Sequence, residues 1–315
     1  MSKDTFDFYD KTSLKSYNLN ETMRYQLSML DRLDVFTRKH CENVASLTCR
    51  ICEYLHCQKG FTEYCTICAY LHDIGKLFIP PEILQKPGKL TDEEYEIMKK
   101  HTTFGYEMCR KDEKLRLYSA GALYHHEALN GTGYPQGLTK KDIPYEGQII
   151  RVADEYDAIV SKRQYKSHIG ISDTLKILIE NTKPNEDVQK SDALHVLAED
   201  AKLGKNNPLI VRTLFKVVID DIEYEITCTL DYVEELKGDI KRFKEINKYK
   251  QKMENAKNEK QRNYYLEGIK YLLKDGENLE NASSVYEEYK TAYATRKKII
   301  DNLYNEIKKI KKLRI

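Results

Sequence analysis

His40, His72, His101, His125 and His126 are five of the chain's eight histidines, and Asp73 and Asp154 stand among them in the sequence. A single histidine on an apolar helix face is an ordinary core residue. Burying five imidazoles with two carboxylates is a different matter, because the desolvation penalty is heavy unless cations offset it. Two divalent ions would use all seven groups. The adjacent pair His72 and Asp73 can reach two different ions, with the carboxylate bridging them. Ions roughly 3.5–4 Å apart lower the pKa of a shared water and stabilise both oxygens of an in-line displacement at phosphorus. Phosphoester hydrolysis is therefore the expected chemistry. Mixed imidazole and carboxylate ligands suit Fe or Mn, with Zn or Ni as alternatives.

Helices must bring these groups together. Val44, Leu47, Ile51 and Leu55 recur at helical spacing over 34–56, and His40 lies four residues before Val44 on the same face. A second helix over about 62–74 carries Ile67 and Leu71, stops near Gly75, and holds His72 and Asp73 in its last turn. Thr91 followed by Glu94 is a capping box, so a further helix starts there and places Ile97, His101, Phe104 and Met108 on one face. A helix over about 115–127 delivers His125 and His126 at its C-terminal end. The turn formers of NGTGYPQGL then predict an ordered loop. Tyr145 to Ser161 reads as a helix with Asp154 and Asp157 on neighbouring turns, so two carboxylates lie together there.

The composition fits an all-α protein: 41% hydrophobic and 32% charged residues, with 14 Gly and 7 Pro among 315 residues. The 52 basic and 50 acidic residues nearly cancel, which gives no reason to expect bulk nucleic-acid binding. No run approaches the ~18 apolar residues of a membrane span, and the charged N-terminal stretch is no secretory leader, so a cytoplasmic protein is expected. Two CxxC pairs, Cys49/Cys52 and Cys65/Cys68, have a separation that suits zinc in other contexts. Both sit inside helical patterns, where cysteine packs as a small core residue, and packing is the preferred reading. After about residue 215, FKVVIDDIEYEITCTL is rich in β-branched residues and predicts a short strand or β-hairpin before lysine-rich helices. The expected organisation is a lead-in and helix over 1–29, a catalytic domain over 30–215, and a mainly helical C-terminal module over 216–315.

LHDIGK (71–76), IPPEILQKPGKLTDEEYEIMKKH (79–101), HHEALNGTGYP (125–135) and DEYDA (154–158) together resemble the HD-GYP family of metal-dependent phosphohydrolases. The motifs stand in the family's order across roughly residues 30–215. The resemblance implies an HD-domain helical bundle that hydrolyses cyclic di-GMP to the linear dinucleotide pGpG, with a second cut to GMP left open. It implies that His40, His72, Asp73 and Asp154 hold one ion, and that Asp73, His101, His125 and His126 hold the other. Asp73 would be the bridge and, with Lys76, the catalytic pair. Lys76 matches the lysine that contacts the scissile phosphate. Gly133 and Tyr134 match the ligand-contacting loop, and Asp34, Arg163 and Lys166 match positions near the dinucleotide.

The sequence departs from that pattern in three places. Phe36 occupies the position where some members carry a glutamate for a third metal, so two ions are expected. Gln148 replaces the usual arginine of an ARI-like triplet. Arg163-Gln164-Tyr165-Lys166 lacks the proline of the corresponding segment. Two alternatives stay open: a phosphodiesterase for another cyclic dinucleotide, or a receptor for such a ligand that turns over slowly. The C-terminal module would be the surface for a homodimer contact or a partner protein.

Overall fold

A computed structural model describes residues 32–161, 189–274 and 276–315. The chain divides into two compact units, Met1–Ile219 with Lys309–Ile315, and Asp220–Lys308. Arg163 and Lys166 lie outside the described residues.

In the first unit, helix α1 (Val35–Tyr54) opens on Asp34, whose carboxylate accepts from the amides of Phe36 and Thr37. This cap satisfies donors that the first turn leaves orphaned. Helix α2 (Lys59–Leu71) packs on α1. It ends before His72, which caps it, and a tight turn of 3-10 helix, Ile74–Phe78, follows Asp73. Gly75 has a reason other than the helix end expected of it. A Cβ there would lie 1.9 Å from the backbone oxygen of His101, so only glycine permits the approach of this turn to the segment carrying His101.

A single turn, α3 (Pro81–Leu84), precedes α4 (Asp92–Lys99). Both bonds of the expected capping box are made: Glu94 N donates to Thr91 Oγ1 at 3.2 Å and Thr91 N to Glu94 Oε2 at 2.7 Å. Helix α5 (His101–Lys111) follows, and α6 (Ser119–Tyr124) is shorter than the periodicity predicts, because a 3-10 turn at Arg116–Tyr118 takes its start. His125 is the C-cap of α6. Helix α7 (Tyr145–Ser161) packs on α1 and α6, and α8 (Lys190–Lys202) on α7. Leu33, Cys41, Ile67, Leu71, Ile74, Cys109 and Leu115 form a core cluster beneath the histidine-bearing segments. Each fully buried Leu or Ile side chain stabilises by about 1.5–3 kcal/mol.

The β-hairpin expected after residue 215 does not form. Helix α9 (Pro208–Glu254) runs through that sequence, and the described residues contain no strand. Ile210, Leu214, Val217, Val218, Ile222 and Ile226 are all buried, at the spacing of one helical stripe. Burial along that stripe outweighs the local preference of β-branched residues for extended backbone. The second unit is completed by α10 (Glu259–Leu272) and by α11 (Ala282–Ile310), of which Lys309 and Ile310 belong to the first unit. Its own core is Phe243, Ile246, Ile269 and Ala282, with Tyr286 and Tyr289 packed against it.

All eight cysteines are unpaired, and Cys49, Cys52, Cys65 and Cys68 are fully buried. Burial pushes the Cys49 thiol up to about 12, which favours a neutral packing residue over a thiolate ligand. Among the described residues, no helix is long and apolar enough to cross a membrane.

Candidate metal centre

The five histidines and two aspartates, distant in sequence, converge. His40 projects from α1, His72 and Asp73 from the end of α2, His101 from the start of α5, His125 and His126 from the end of α6, and Asp154 from α7. Asp73 divides its carboxylate between two groups. Its Oδ2 lies 3.3 Å from His72 Nε2 and 3.6 Å from His40 Nε2. Its Oδ1 lies 3.4 Å from His101 Nε2. Asp154 approaches His40 Nε2 at 3.0 Å through Oδ1 and His126 Nδ1 at 3.9 Å through Oδ2.

Backbone carbonyls set the tautomers. Nδ1 of His72 donates to Ala69 O at 2.6 Å, that of His101 to Met98 O at 2.7 Å, and that of His125 to Gly121 O at 2.9 Å. With Nδ1 carrying the proton, each ring turns an Nε2 lone pair inward. His72 Nε2 is buried without a hydrogen-bond partner. His101 Nε2 and His125 Nε2 face each other at 3.1 Å, two acceptors with no proton between them. Burial lowers both rings below the usual imidazole range and takes His126 to about 3. Neutral, inward-facing lone pairs beside buried carboxylates are the donor set of a divalent cation. Two groups have ligand atoms close enough to share an ion: His40, His72 and Asp73, and His101, His125 and His126. Neither contains cysteine.

The charges are locked in place. Burial alone would raise Asp73, but Lys76 and the neighbouring imidazoles hold it well below the usual carboxylate range. Lys76 Nζ sits 2.5 Å from Asp73 Oδ2. Burial works against the Lys76 ammonium too, and Asp73 more than compensates, so its pKa is raised. His40 is likewise opposed by burial yet lifted to about 10 by hydrogen bonds to Asp154 and Asp157.

The Gly133–Tyr134 loop lies against this centre. A Cβ at Gly133 would fall 2.2 Å from Ala128 N and 2.5 Å from His126 O, so only glycine fits there. The Tyr134 ring stacks on His126, with centroids 4.6 Å apart and planes at 27°. Asp34 serves as the cap of the helix that carries His40.

Three supporting groups had no visible partner in the sequence. Asp157 Oδ2 is 2.7 Å from His40 Nδ1, and its Oδ1 accepts from Asn43 Nδ2 at 3.1 Å. Glu127 is buried and accepts from Gln136 N at 2.7 Å and Leu138 N at 2.8 Å, which ties down the loop around Tyr134. Arg151 donates to the His126 carbonyl at 3.2 Å and to Asn206 Oδ1 at 2.8 Å. Gln148, the departure from the arginine pattern, is satisfied by Ile143 O at 3.0 Å and Asn207 Nδ2 at 2.9 Å. The nearest signal for these was the placing of Asp157 one turn after Asp154.

Residues 24–187 match the HD domain family. The chain belongs to that family. Among its curated relatives, the "Cyclic di-GMP phosphodiesterase" of Thermotoga maritima is 46% identical over 144 residues, which are 45% of this chain and 39% of that protein. The "3'3'-cGAMP-specific phosphodiesterase 2" of Vibrio cholerae is 44% identical over 96 residues, 30% of this chain and 18% of that one. This HD domain chain thus spans less than half the length of either relative. A solved structure described as an HDG"Y"P protein, Bd1817 from Bdellovibrio bacteriovorus, is 23% identical with a TM-score of 0.44, covering 57% of this chain and 52% of its own.

Proposed function

We propose that the chain is a metal-dependent phosphodiesterase that opens cyclic di-GMP to linear pGpG. The observation that carries this reading is the Asp73 carboxylate, with one oxygen turned to His101 and the other to His40, His72 and Lys76. A carboxylate so placed bridges two ligand groups. Two divalent ions held there would make a shared water acidic and would stabilise both oxygens of an in-line displacement at phosphorus. Fe or Mn is the proposed pair, on the mixed imidazole and carboxylate donors.

The chain's own residues supply the rest. Lys76, paired with Asp73, would neutralise charge on the phosphate and on the leaving oxygen. Carbonyl-anchored imidazoles hold their Nε2 atoms at fixed positions, so little reorganisation is needed when substrate arrives. Tyr134, packed flat on His126, gives the substrate an aromatic wall. Gly133 lets that wall come close. The proposed compartment is the cytoplasm.

A mixed guanine and adenine cyclic dinucleotide is the second reading, because contacts to phosphate and metal do not read bases; one relative's name carries that substrate. The test is anaerobic turnover by protein reconstituted with Fe or Mn, wild type against Asp73→Ala, following linear dinucleotide and GMP for both substrates. Turnover of cyclic di-GMP that is lost in the variant upholds the proposal. Preference for the mixed dinucleotide moves it to the second reading, and tight binding without turnover replaces it with a receptor.

A further inference from the structure

Helix α4 contributes no buried residue, yet it begins with a complete capping box. Its outer residues pack toward the Tyr134 loop. Tyr95 meets Tyr134 edge to face, with centroids 6.4 Å apart and planes at 78°. Lys99, one turn along, holds its Nζ 5.0 Å from the Tyr95 centroid and 5.7 Å from that of Tyr134. Tyr134 in turn stacks on His126, and Lys99 stands two residues before His101 in the chain. The cluster is thereby tied to the metal centre through both a ring stack and the backbone.

It also stands on the open side. The side chains of His72, His101 and Asp73 are almost wholly buried, whereas His126 is 26% exposed and Lys76 22%. Tyr95, joined to His126 through the Tyr134 ring, leaves nearly half its surface in water. Lys99 pairs with Glu96 at 2.6 Å on the exposed face of the same helix. Such pairs are weak, so redirecting the ammonium to a ligand costs little.

We propose that Tyr95 and Lys99 form a purine subsite beside the metal centre, which sets how tightly this chain holds its dinucleotide. The half-exposed Tyr95 ring stacks one base, and Lys99 meets the phosphate that is not cut. Stacking on an aromatic ring is sequence-tolerant and substantial, and a lysine serves a phosphate as a flexible point charge. The inference rests on the cyclic-dinucleotide reading above and names the residues outside the ligand set that recognise the substrate.

The test uses the full chain, metal-loaded, as wild type, Tyr95→Ala, Tyr95→Phe and Lys99→Met. KM and kcat are measured for cyclic di-GMP, with Ki for inorganic phosphate, which engages the metal centre but no base subsite. Tyr95→Ala and Lys99→Met should each raise KM about tenfold, with kcat and phosphate Ki within about twofold, and Tyr95→Phe should behave as wild type. Unchanged KM in both variants overturns the subsite. So does a loss in which phosphate Ki moves with KM, since that marks damage to the centre itself. If wild type turns over no cyclic dinucleotide, the functional reading fails separately, and equilibrium binding of cyclic di-GMP decides the subsite. Affinity lost in Tyr95→Ala upholds it; equal affinity, or no binding by wild type, overturns it.

Discussion

Nδ1 of His40 lies 2.7 Å from Oδ2 of Asp157, and Oδ1 of that carboxylate accepts from Asn43 at 3.1 Å. Asp157 therefore aims the inner nitrogen of His40 at Asp73 and Asp154 from behind the ring. A carboxylate behind a ligating histidine fixes its ring and raises its basicity.

Asp157 is flanked by two donors, so Asp157→Asn offers one acceptor where two are needed and turns an amide N–H toward the other. Metal affinity should fall about 10–100-fold, with the helical signal of the protein unchanged. Titration of metal content by mass spectrometry or competition with a chelator reads this directly. Wild-type affinity in the variant would show that His40 needs no such support.

Gly133→Ala places a methyl against backbone atoms of Ala128 and His126, which no rotamer change relieves. The loop must move, at a cost of about 1–3 kcal/mol, and the Tyr134 ring leaves His126. A lower Tm together with loss of turnover is expected from thermal melting and assay of the same preparation. Unchanged melting would mean that the loop yields without strain.

The second unit has its own pH signature. Arg242 grips Glu277 with two bonds of 2.6 and 2.8 Å and also donates to Leu272 O at 2.7 Å. The guanidinium lowers the Glu277 pKa. A carboxyl depressed on folding contributes stability above its unfolded value, and that contribution is lost as pH falls through its folded value. Acidification below the ordinary glutamate range should therefore loosen this unit, and Glu277→Gln should flatten that part of the profile. Melting followed from pH 7 to pH 3 checks it; equal slopes in the two proteins would contradict it.

The helices and their histidines were legible because both signals are local. Apolar spacing marks a helix face, and imidazoles beside carboxylates announce their chemistry by type. Relations across long stretches of chain were not legible. Asp157 and His40 are 117 residues apart, and nothing in either neighbourhood names the other. Glu127 spends its carboxylate on the amides of Gln136 and Leu138, partners that every residue but proline offers. The stretch after 215 misled for the opposite reason. Its β-branched residues speak strongly for a strand at short range, but the stripe from Ile210 to Ile226 is buried along a 47-residue helix. Gly75 was legible as a glycine with a purpose, while its purpose, the carbonyl of His101, lay in another segment.

Asp73 is proposed to bridge two ions. The most direct measurement is the number of ions per chain after anaerobic reconstitution and desalting, in wild type and in Asp73→Ala. Two ions per chain are expected in wild type and at most one in the variant, which loses the carboxylate whose two oxygens face the two groups. A wild type that retains one ion or none under saturating metal, or a variant that still holds two, would contradict that bridge.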